Sequence, residues 1–523
     1  MNKFLLLLLI VLITATQLTA QTISLDQDFR NDQARRLQLL ASQDSTGKPL
    51  VDPALSFMVQ PIQMQNGSYP LQWSKSFFGK WGKLAVLPVQ ITQQYVSDFP
   101  FQELDGPMVA SSGYQVMASA GWYTRVGPLT IQMQPQWVSA QNNSYTGVQA
   151  GIPFQKMYWG NSSIRLNAGP ASVGISSENI SWGPSLFNPL MMSSHAPGFL
   201  HATINSIRPL KTFMGYFEWQ IIGAMLDPLQ ARFQNLAEVS TATAPGRRYY
   251  NGASIVYSPR WIKGLSVGVV RVVQEPERVL DLNHQYFPLV NNVARAADAN
   301  YDIEQDRDQY GDFFMRYLMQ PANAEFYIEW GRNDAYYNLR DAIQRLDHSR
   351  AYTLGLRKIF NVSANQKQYW QLISEYTRMQ QPPSWPLLSA GTWYVHSRSI
   401  QGYTNEGQIM GATLGLGGNG ATLRISKFDG LKSYSFQFNS YTHDAVYYES
   451  SDLAFANPSL TKWVDYGIRL MMDRPFKKAI LSATIGVKRS FNYGYTQPTG
   501  ASGLGLNNPN DINSYLFKIG FTF

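Results

Sequence analysis

Residues 514–523 read SYLFKIGFTF, and this segment decides the fold class. Large apolar residues stand at every second position, namely Tyr515, Phe517, Ile519, Phe521 and Phe523. A β-strand directs alternate side chains to opposite faces, so these residues share one face. In a bacterial outer-membrane barrel that face meets lipid, while the other face lines the lumen. The segment therefore predicts a transmembrane β-strand, and we expect it to be the last strand of such a barrel.

The same alternation recurs through the chain, from residues 84–96 to residues 480–488. The clearest early example is residues 128–138, whose one face is apolar and whose other face consists of Thr130, Gln132, Gln134 and Gln136. A face lined by glutamine is favourable only against water, so we place it in the lumen. At about 25 to 30 residues per strand with its share of loops, the chain supplies about 16 to 20 strands. We therefore predict an all-β fold, a transmembrane antiparallel barrel.

The N-terminal region divides into two predicted parts. Residues 1–20 have the features of an export signal, because Lys3 gives a positive start, residues 4–13 are apolar and Ala20 ends a small-residue cleavage site. We expect cleavage after Ala20. Residues 24–43 have helical composition, with Asp32 as a plausible cap. We assign 21–80 to a periplasmic or lumen-plugging segment with a short helix, and 81–523 to the outer-membrane barrel.

The composition excludes several classes of function. The chain has no Cys, which removes disulfides, thiolate metal sites and Cys nucleophiles. Its 43 Lys and Arg exceed its 35 Asp and Glu, giving a formal net charge of +8. This modest excess suits acidic polysaccharide or lipopolysaccharide phosphate, although a solvated loop surface is the simpler explanation. Because basic runs with interleaved aromatics are absent, we expect no nucleic-acid partner.

Long inserts and a glycine-rich segment interrupt the strand pattern. The inserts are residues 227–239, 274–311 and 339–346 with its neighbours. Outer-membrane barrels have short periplasmic turns and long external loops, so we place the inserts outside the cell, where short loop helices can also form. Residues 411–420 contain several glycines between strand-like tracts, which favours a hairpin turn over a phosphate-binding loop.

Three motifs follow one another along the chain. The first is Ile180-Ser181-Trp182-Gly183-Pro184, followed by Ser193-Ser194-His195-Ala196-Pro197-Gly198-Phe199 and Ile207-Arg208-Pro209. The second is Glu329-Trp330-Gly331-Arg332-Asn333-Asp334, and the third is Gly402-Tyr403-Thr404-Asn405-Glu406-Gly407-Gln408. In order and spacing they resemble the Wzi family of outer-membrane capsule assembly proteins, in the form found in Bacteroidetes-type bacteria. Where that family commonly has Asn-Asn, this chain has Ser194-His195.

This resemblance implies an outer-membrane barrel of about eighteen strands. It also implies binding of exported capsular or surface polysaccharide, which the barrel helps to assemble or retain, without catalysis or a cofactor. The implied partners are this polysaccharide, outer-membrane lipid, lipopolysaccharide and the polysaccharide export machinery. A diffusion porin or transport channel is the alternative, because it would share every barrel feature, and an outer-membrane hydrolase is a more distant one.

Candidate glycan-binding residues lie in the three motifs. A glycan receptor needs aromatic faces for sugar rings and planar polar groups for hydroxyls or carboxylates. The candidates are Trp182, His195, Arg208, Glu329, Arg332, Asp334 and Tyr403. If Phe326, Ile328 and Trp330 face lipid, Glu325, Tyr327 and Glu329 face the lumen. An internal polar network that braces the barrel would use the same charged residues, and Trp182 or Tyr403 could equally be packing or girdle residues.

Neither a hydrolase site nor a metal centre follows from the sequence. His195 stands beside Ser193 and Ser194, but no Gly-x-Ser-x-Gly pattern surrounds it. We therefore interpret His195 as a loop histidine satisfied by backbone contacts. The chain has six His, and none has close spacing to carboxylates of the kind a metal site requires. We predict no catalytic residues and no metal ligands.

Overall fold

The fold is taken from a computed structural model of the chain. The structure describes residues 27–41, 74–77, 82–101, 104–146, 151–229, 246–277, 308–333, 346–380, 392–396, 401–443, 463–476, 479–495 and 511–523. The export signal, Asp334 and most of the long inserts lie outside these residues.

The chain forms a closed, antiparallel barrel of 18 strands, as predicted. Its first strand, β2 (Gly82–Val96), pairs with its last, β24 (Ile512–Thr522), from Gln90 opposite Thr522 to Val96 opposite Leu516. Two of the barrel strands are interrupted: β4 (Leu129–Met133) continues as β5 (Gln136–Ala140), and β6 (Phe154–Tyr158) continues as β7 (Ser163–Ala168). The short strands β1 (Ser74–Phe77) and β10 (Leu210–Lys211) pair with β2 and β11 (Gly215–Leu226), while β18 (Thr404–Asn405) and β19 (Gln408–Ile409) form a separate hairpin.

The remaining elements alternate in direction around the barrel. The short strands are β1 (Ser74–Phe77), β4 (Leu129–Met133), β5 (Gln136–Ala140), β6 (Phe154–Tyr158), β7 (Ser163–Ala168), β8 (Ala171–Ser176), β9 (His201–Ser206), β10 (Leu210–Lys211), β18 (Thr404–Asn405) and β19 (Gln408–Ile409). The long strands are β3 (Gly113–Val126), β11 (Gly215–Leu226), β12 (Arg248–Pro259), β13 (Leu265–Pro276), β14 (Asp308–Met319), β15 (Ala324–Asn333), β16 (Arg350–Phe360), β17 (Gln368–Arg378), β20 (Asn419–Asp429), β21 (Lys432–Thr442), β22 (Val464–Phe476) and β23 (Ala479–Phe491). Two short 3-10 helices occupy Gln320–Ala322 and Tyr493–Tyr495.

The burial pattern confirms the predicted faces of the strands. In β24, Tyr515, Phe517 and Ile519 are 46–50% exposed on the outside, whereas Leu516 between them is 0% exposed. In β15, Phe326 is exposed, while Tyr327 and Glu329 are fully buried. The outward face is therefore the apolar face, as contact with lipid requires.

One predicted strand is interrupted where the sequence places a proline. Residues 128–138 divide into β4 and β5 at Gln134 and Pro135. Proline has no N–H to donate to the neighbouring strand. At this point Gln134 makes an isolated bridge to Gly160, at the matching interruption between β6 and β7. Thr130, Gln132 and Gln134 are buried, as expected of a lumen face.

The two ends of the barrel differ. At one end, called here the turn end, connections are short: Val126 and Leu129 are cross-strand partners, as are Asp429 and Lys432. At the other, the loop end, residues 177–200 and 379–418 connect consecutive barrel strands. Short periplasmic turns and long external loops are the rule for such barrels, so we expect the loop end to face the cell exterior.

Two sequence predictions about loops need correction. Residues 411–418 do not form a tight hairpin turn, because they belong to the long connection between β17 and β20 and are largely buried. The predicted insert 274–311 is also shorter, because Gln274–Pro276 continues β13 and Asp308 already begins β14. In both cases the glycine content and mixed polarity obscured where the strand pattern began or ended.

A helix, α1 (Gln27–Leu39), lies against the interior of the turn end. Leu39 and Leu40 pack in an apolar cluster with Leu318, Ile359 and Phe428. The side-chain amides of Gln320 and Gln366 donate to the carbonyls of Gln38 and Leu40. In the described part of the chain, no helix is both long and apolar enough to cross a membrane.

Candidate functional site

Residues 177–200, called here the inward loop, leave the loop end of β8 and fold into the lumen before β9. They carry Ile180, Trp182, Leu190, Met191 and Met192, each at most 3% exposed. These side chains form one core cluster with inward residues of β11–β14 and with residues of the connection 379–418. The loop is therefore packed like a protein core.

Glu329 of β15 holds the middle of the inward loop. One oxygen of its carboxylate accepts the backbone N–H of Ser185 at 2.7 Å, and the other accepts that of Leu190 at 3.0 Å. Gly183 has φ of 90°, and a Cβ at this position would collide with the same carboxylate. A left-handed φ and close approach both favour glycine. The glycine of the Trp-Gly-Pro motif thus allows the loop to pack closely against the Glu329 carboxylate.

Glu375 of β17 holds the adjacent turn of the inward loop. Its carboxylate accepts the backbone N–H groups of Leu186 at 2.7 Å and Asn188 at 2.8 Å, and also that of Phe187. The hydroxyl of Tyr327 donates to the same group at 2.8 Å. Buried N–H groups need such acceptors, because an unsatisfied one costs about 1–3 kcal/mol. Glu329 and Glu375 together satisfy five backbone N–H groups of one loop.

Trp182 fixes the loop against a second part of the barrel wall, formed by β11 and β12. Its side chain is fully buried, and Nε1–H donates to Oε1 of Gln220 on β11 at 2.8 Å. The indole ring lies over Gly252 of β12, where a Cβ would collide with it. Because β12 and β11 lie three and four strands away from β15 in the barrel, the loop is held at separate parts of the wall.

Two tyrosines from the connection 379–418 pin the end of the inward loop. Tyr403 donates its hydroxyl to the carbonyl of Met191 at 2.8 Å, and Tyr394 donates to that of Leu190 at 2.7 Å. The Tyr250 hydroxyl lies 2.8 Å from that of Tyr403. Burial, followed by the nearby Tyr250, raises the pKa of Tyr403 well above its usual range. Its hydroxyl therefore keeps its proton and remains a donor.

Helix α1 reaches the inward loop from the turn end. Arg35 is 1% exposed; its guanidinium donates to Glu325 at 2.8 Å through Nε and to the carbonyl of Pro184 at 2.6 Å through Nη1. Pro184 belongs to the inward loop and Glu325 to β15. The helix and the loop therefore meet inside the barrel.

A buried ionic cluster surrounds Glu325. Its carboxylate contacts Arg35 Nη2 at 2.6 Å, Arg316 Nε at 2.7 Å and Arg357 Nε at 3.5 Å. Arg357 also pairs with Asp32 of α1 at 2.6 Å. Glu325 thus takes part in an internal polar network, which the sequence analysis gave as the alternative to direct ligand contact.

Arg36, the next residue of α1, contacts the barrel wall at the turn end. Its guanidinium lies 4.4 Å from the centroid of the Phe428 ring and pairs with Asp32. Burial lowers the pKa of Arg36 to about 10. The side chain therefore remains cationic at neutral pH.

Four of the predicted site residues come together around the inward loop. Trp182, Glu329 and Tyr403 are 0% exposed and bonded to protein partners. His195 is 4% exposed, and its backbone N–H donates to Ser193 Oγ at 3.1 Å. Ser193 in turn donates to the carbonyl of Gly411 at 2.6 Å, so its hydroxyl proton is directed to a backbone group.

The other three predicted residues do not join this group. Arg208 is exposed in the turn that follows β9, at the turn end of the barrel. Arg332 lies near the loop end of β15, and strand alternation places it on the outer face with Trp330, where it is 3% exposed. Asp334 lies outside the described residues.

Sequence reasoning missed Glu375 and Arg35. Glu375 was visible as an acidic residue at a polar position of an alternating tract, but its role depends on a loop almost 190 residues away. Arg35 was visible only as part of a helical stretch. Both contact segments that are far away in the sequence, so no local sequence pattern indicates their roles.

The loop packing predicts the effect of a single added methyl group. Gly252→Ala should destabilise the barrel by about 1–3 kcal/mol, because the methyl group must displace the Trp182 ring. Gly311→Ala is the matched control on β14, since a Cβ there meets nothing within 4 Å. Urea unfolding followed by tryptophan fluorescence would measure both. Equal stability of the two variants would contradict the packing described for Trp182.

No protein-family model matches the chain, and no curated protein is similar to it. Among solved structures, it is similar to Wzi of Escherichia coli, described as an outer-membrane protein involved in group 1 capsule assembly and as a carbohydrate-binding β-barrel. The TM-score is 0.54 at 11% identity, over 83% of this chain and 84% of Wzi. OprD of Pseudomonas aeruginosa superposes less well, with a TM-score of 0.40 at 9% identity, over 90% of this chain and 96% of OprD. The chain is therefore similar in fold to a carbohydrate-binding outer-membrane barrel.

Proposed function

We propose that this protein is an outer-membrane barrel that binds exported capsular or other surface polysaccharide and helps to assemble or retain it at the cell surface. The observation that carries the proposal is the contact between Arg35 of α1 and Pro184 of the inward loop. A diffusion porin needs a continuous water path, whereas here two segments enter from opposite ends and meet. The similarity in fold to a carbohydrate-binding barrel supports the same function.

Export and location form part of the proposal. Residues 1–20 are proposed to direct the chain out of the cytoplasm, with cleavage after Ala20, and the outward apolar face of the barrel supports an outer-membrane location. Outer-membrane lipid, lipopolysaccharide and the polysaccharide export machinery are the proposed further partners. The protein is proposed to act by binding, without catalysis, since Ser193 is engaged with backbone groups and not arranged as a nucleophile.

The buried residues of the inward loop are not available for glycan contact. Trp182, Glu329 and Tyr403 are fully buried, so they present no face to a sugar ring. We assign glycan contact to the loop end above them, where aromatic side chains are partly exposed. There the rings of His443 and Trp463 stack with their centroids 3.6 Å apart. The Tyr493 ring packs edge-on against Trp463, with the two ring centroids 4.8 Å apart. Stacked aromatic faces beside polar groups suit sugar rings.

The charged groups around Trp463 suit hydroxyls and acidic sugars. Asp465 accepts the Trp463 Nε1–H at 2.8 Å and lies 3.0 Å from His443 Nε2. Lys488 lies 3.8 Å from the same carboxylate and 4.1 Å from the centroid of the Phe99 ring. Affinity for a repetitive polymer would come from several such weak contacts along the chain.

The experiment measures binding of the purified barrel to polysaccharide extracted from the producing cells. Trp463→Ala should weaken binding by about 1–3 kcal/mol, as loss of an aromatic stacking partner does. Trp370→Ala is the matched control, because Trp370 lies near the turn end on the outer face with Lys427 over its ring. Equal loss in both variants, or none in either, would remove Trp463 from the glycan surface.

A further inference from the structure

Two neighbouring connections at the turn end expose a cluster of apolar side chains. The first is residues 207–214, between β9 and β11, and the second is residues 260–264, between β12 and β13. The large apolar side chains exposed here are Leu210, Phe213, Met214, Trp261 and Ile262. Phe213 is 82% exposed and Trp261 is 68% exposed. We call the exposed residues of these two connections the turn patch.

Backbone hydrogen bonds fix the two connections side by side. The N–H of Arg260 donates to the carbonyl of Met214 at 3.0 Å, which joins one connection to the other. The hydroxyl of Thr212 donates to the carbonyl of Gly215 at 2.9 Å and closes the first connection. The exposed side chains therefore stand on an ordered backbone, which lowers the entropy cost of binding a partner.

Four cations accompany the apolar side chains. Arg208 and Lys211 lie in the first connection and Arg260 and Lys263 in the second, and all four are exposed. Within the described residues, none of the four forms a salt bridge. Residues 207–214 and 260–264 contain no Asp or Glu. The turn patch therefore carries only positive charge, and its electrostatic complement is acidic.

The turn patch is distinct from the aromatic girdle of the barrel. Near the turn end, outward aromatic residues occur on strands around the barrel, among them Trp122, Phe217, Tyr257, Tyr317, Phe326 and Tyr434. Such a girdle is the usual contact of a barrel with the membrane interface. Phe217 pairs with Tyr257, and Met214 and Arg260 lie three residues farther toward the turn end. The turn patch thus begins where the girdle of these strands has ended.

The turn patch is also confined to one side of the barrel. The other described connections of the turn end are residues 127–128, 169–170, 320–323, 361–367 and 430–431. None of these five exposes a large apolar side chain. A lipid-contacting belt surrounds a barrel, whereas a local cluster of apolar side chains marks an interaction site for another protein. Aromatic residues, Met and Arg are the residue types enriched in protein interfaces.

We propose that the turn patch docks an acidic segment of a periplasmic protein. Carboxylates of that segment pair with the four cations, and apolar side chains beside them cover Phe213 and Trp261. Trp and Arg are the residue types that most often dominate binding energy in protein interfaces. A second copy of this chain is a poor partner, because the cations of the two copies would repel each other. The proposal rests on the expected periplasmic location of the turn end and is independent of polysaccharide binding.

Photo-crosslinking in the producing cells tests the docking surface with the whole barrel in its membrane. Phe213 is replaced by the photoreactive residue benzoylphenylalanine, which keeps an exposed aromatic ring at this position. Irradiation should give a discrete cross-link to a second protein, and the cross-linked peptide should contain more Asp and Glu than Lys and Arg. The same photoreactive residue at the exposed Ala322, in the connection between β14 and β15, is the positional control and should not give this product.

Charge reversal tests the electrostatic part of the proposal. Arg260→Glu with Lys263→Glu should lower the cross-link yield from position 213 on the order of tenfold or more, because opposite charges across the interface become like charges. The matched control is Lys367→Glu with Lys432→Glu, which makes the same change of charge at exposed positions elsewhere at the turn end. That control should leave the yield unchanged. Yields are compared per folded barrel, so a folding defect does not count as lost docking.

Each of the other outcomes would overturn the proposal. Cross-links to lipid alone would assign the turn patch to the membrane surface, and cross-links between two copies of this chain would assign it to self-association. A yield at position 213 no higher than at Ala322 would show that no protein docks there. A cross-linked segment without an acidic excess, or equal yields from the two charge-reversed variants, would remove charge complementarity as the basis of docking.

Discussion

Replacing Glu329 and Glu375 together with alanine should turn a non-conducting barrel into a conducting one. The two carboxylates accept five backbone N–H groups of the inward loop, from Ser185 to Leu190. Each buried group left without an acceptor costs about 1–3 kcal/mol. Since about 1.4 kcal/mol changes an equilibrium tenfold, the loop should leave its packed position in a large fraction of molecules.

Single-channel recording in planar bilayers measures the conductance of the barrel directly. The unmodified barrel should show no steady channel, and the double variant should show a stable open level. Asp429→Asn is a suitable control, because it neutralises an exposed carboxylate in a turn far from the loop. A steady channel in the unmodified barrel would favour the porin alternative. A silent double variant that is folded would show that other contacts, such as those of Tyr394 and Tyr403, hold the loop without the carboxylates.

The second large effect is expected at Glu325. Glu325→Gln should lower the free energy of unfolding by about 3–5 kcal/mol, because it leaves buried arginines without their central carboxylate. The partners that lose an ion pair are Arg35, Arg316 and Arg357. Only Arg357 has another described carboxylate partner, Asp32. The variant should also loosen α1, since Arg35 joins the helix to β15.

Urea unfolding of the refolded barrel measures the free energy of unfolding of the Glu325→Gln variant and of the unmodified protein. Arg208→Ala should change stability by no more than about 0.5 kcal/mol, because Arg208 is exposed in a turn. A Glu325→Gln barrel as stable as the unmodified protein would show that the cluster gains nothing net over its desolvation cost. Limited proteolysis of α1 would then show separately whether the helix had been released.

The barrel could be predicted from sequence because its signal is local and repeated. The alternation of Tyr515, Phe517 and Ile519 reflects a strand between lipid and lumen, and it is readable wherever it occurs. The faces of β15 followed from the same rule. The break at Pro135 carried a local signal that was overlooked, since proline cannot donate to a neighbouring strand.

The interior arrangement could not be predicted, because it depends on contacts between distant segments. Trp182 and Tyr403 stood out as aromatic residues in motifs, where sugar stacking and internal packing were equally open. The structure buries them completely, in contacts with Gln220 and Met191. Nothing local distinguishes an aromatic residue that stacks on a sugar from one that packs a loop inside a barrel. The same holds for Glu329, whose charge was compatible with ligand contact or an internal network and whose partners are backbone N–H groups.

Polysaccharide attachment tests the central claim most directly. The measurement is the amount of cell-attached and released polysaccharide in a strain that lacks the gene, compared with the parent strain and with the deletion strain carrying the gene on a plasmid. A closed surface anchor predicts that polymer moves from the attached to the released fraction while the total stays unchanged, and that the plasmid restores attachment. Unchanged attachment in the deletion strain would contradict the account.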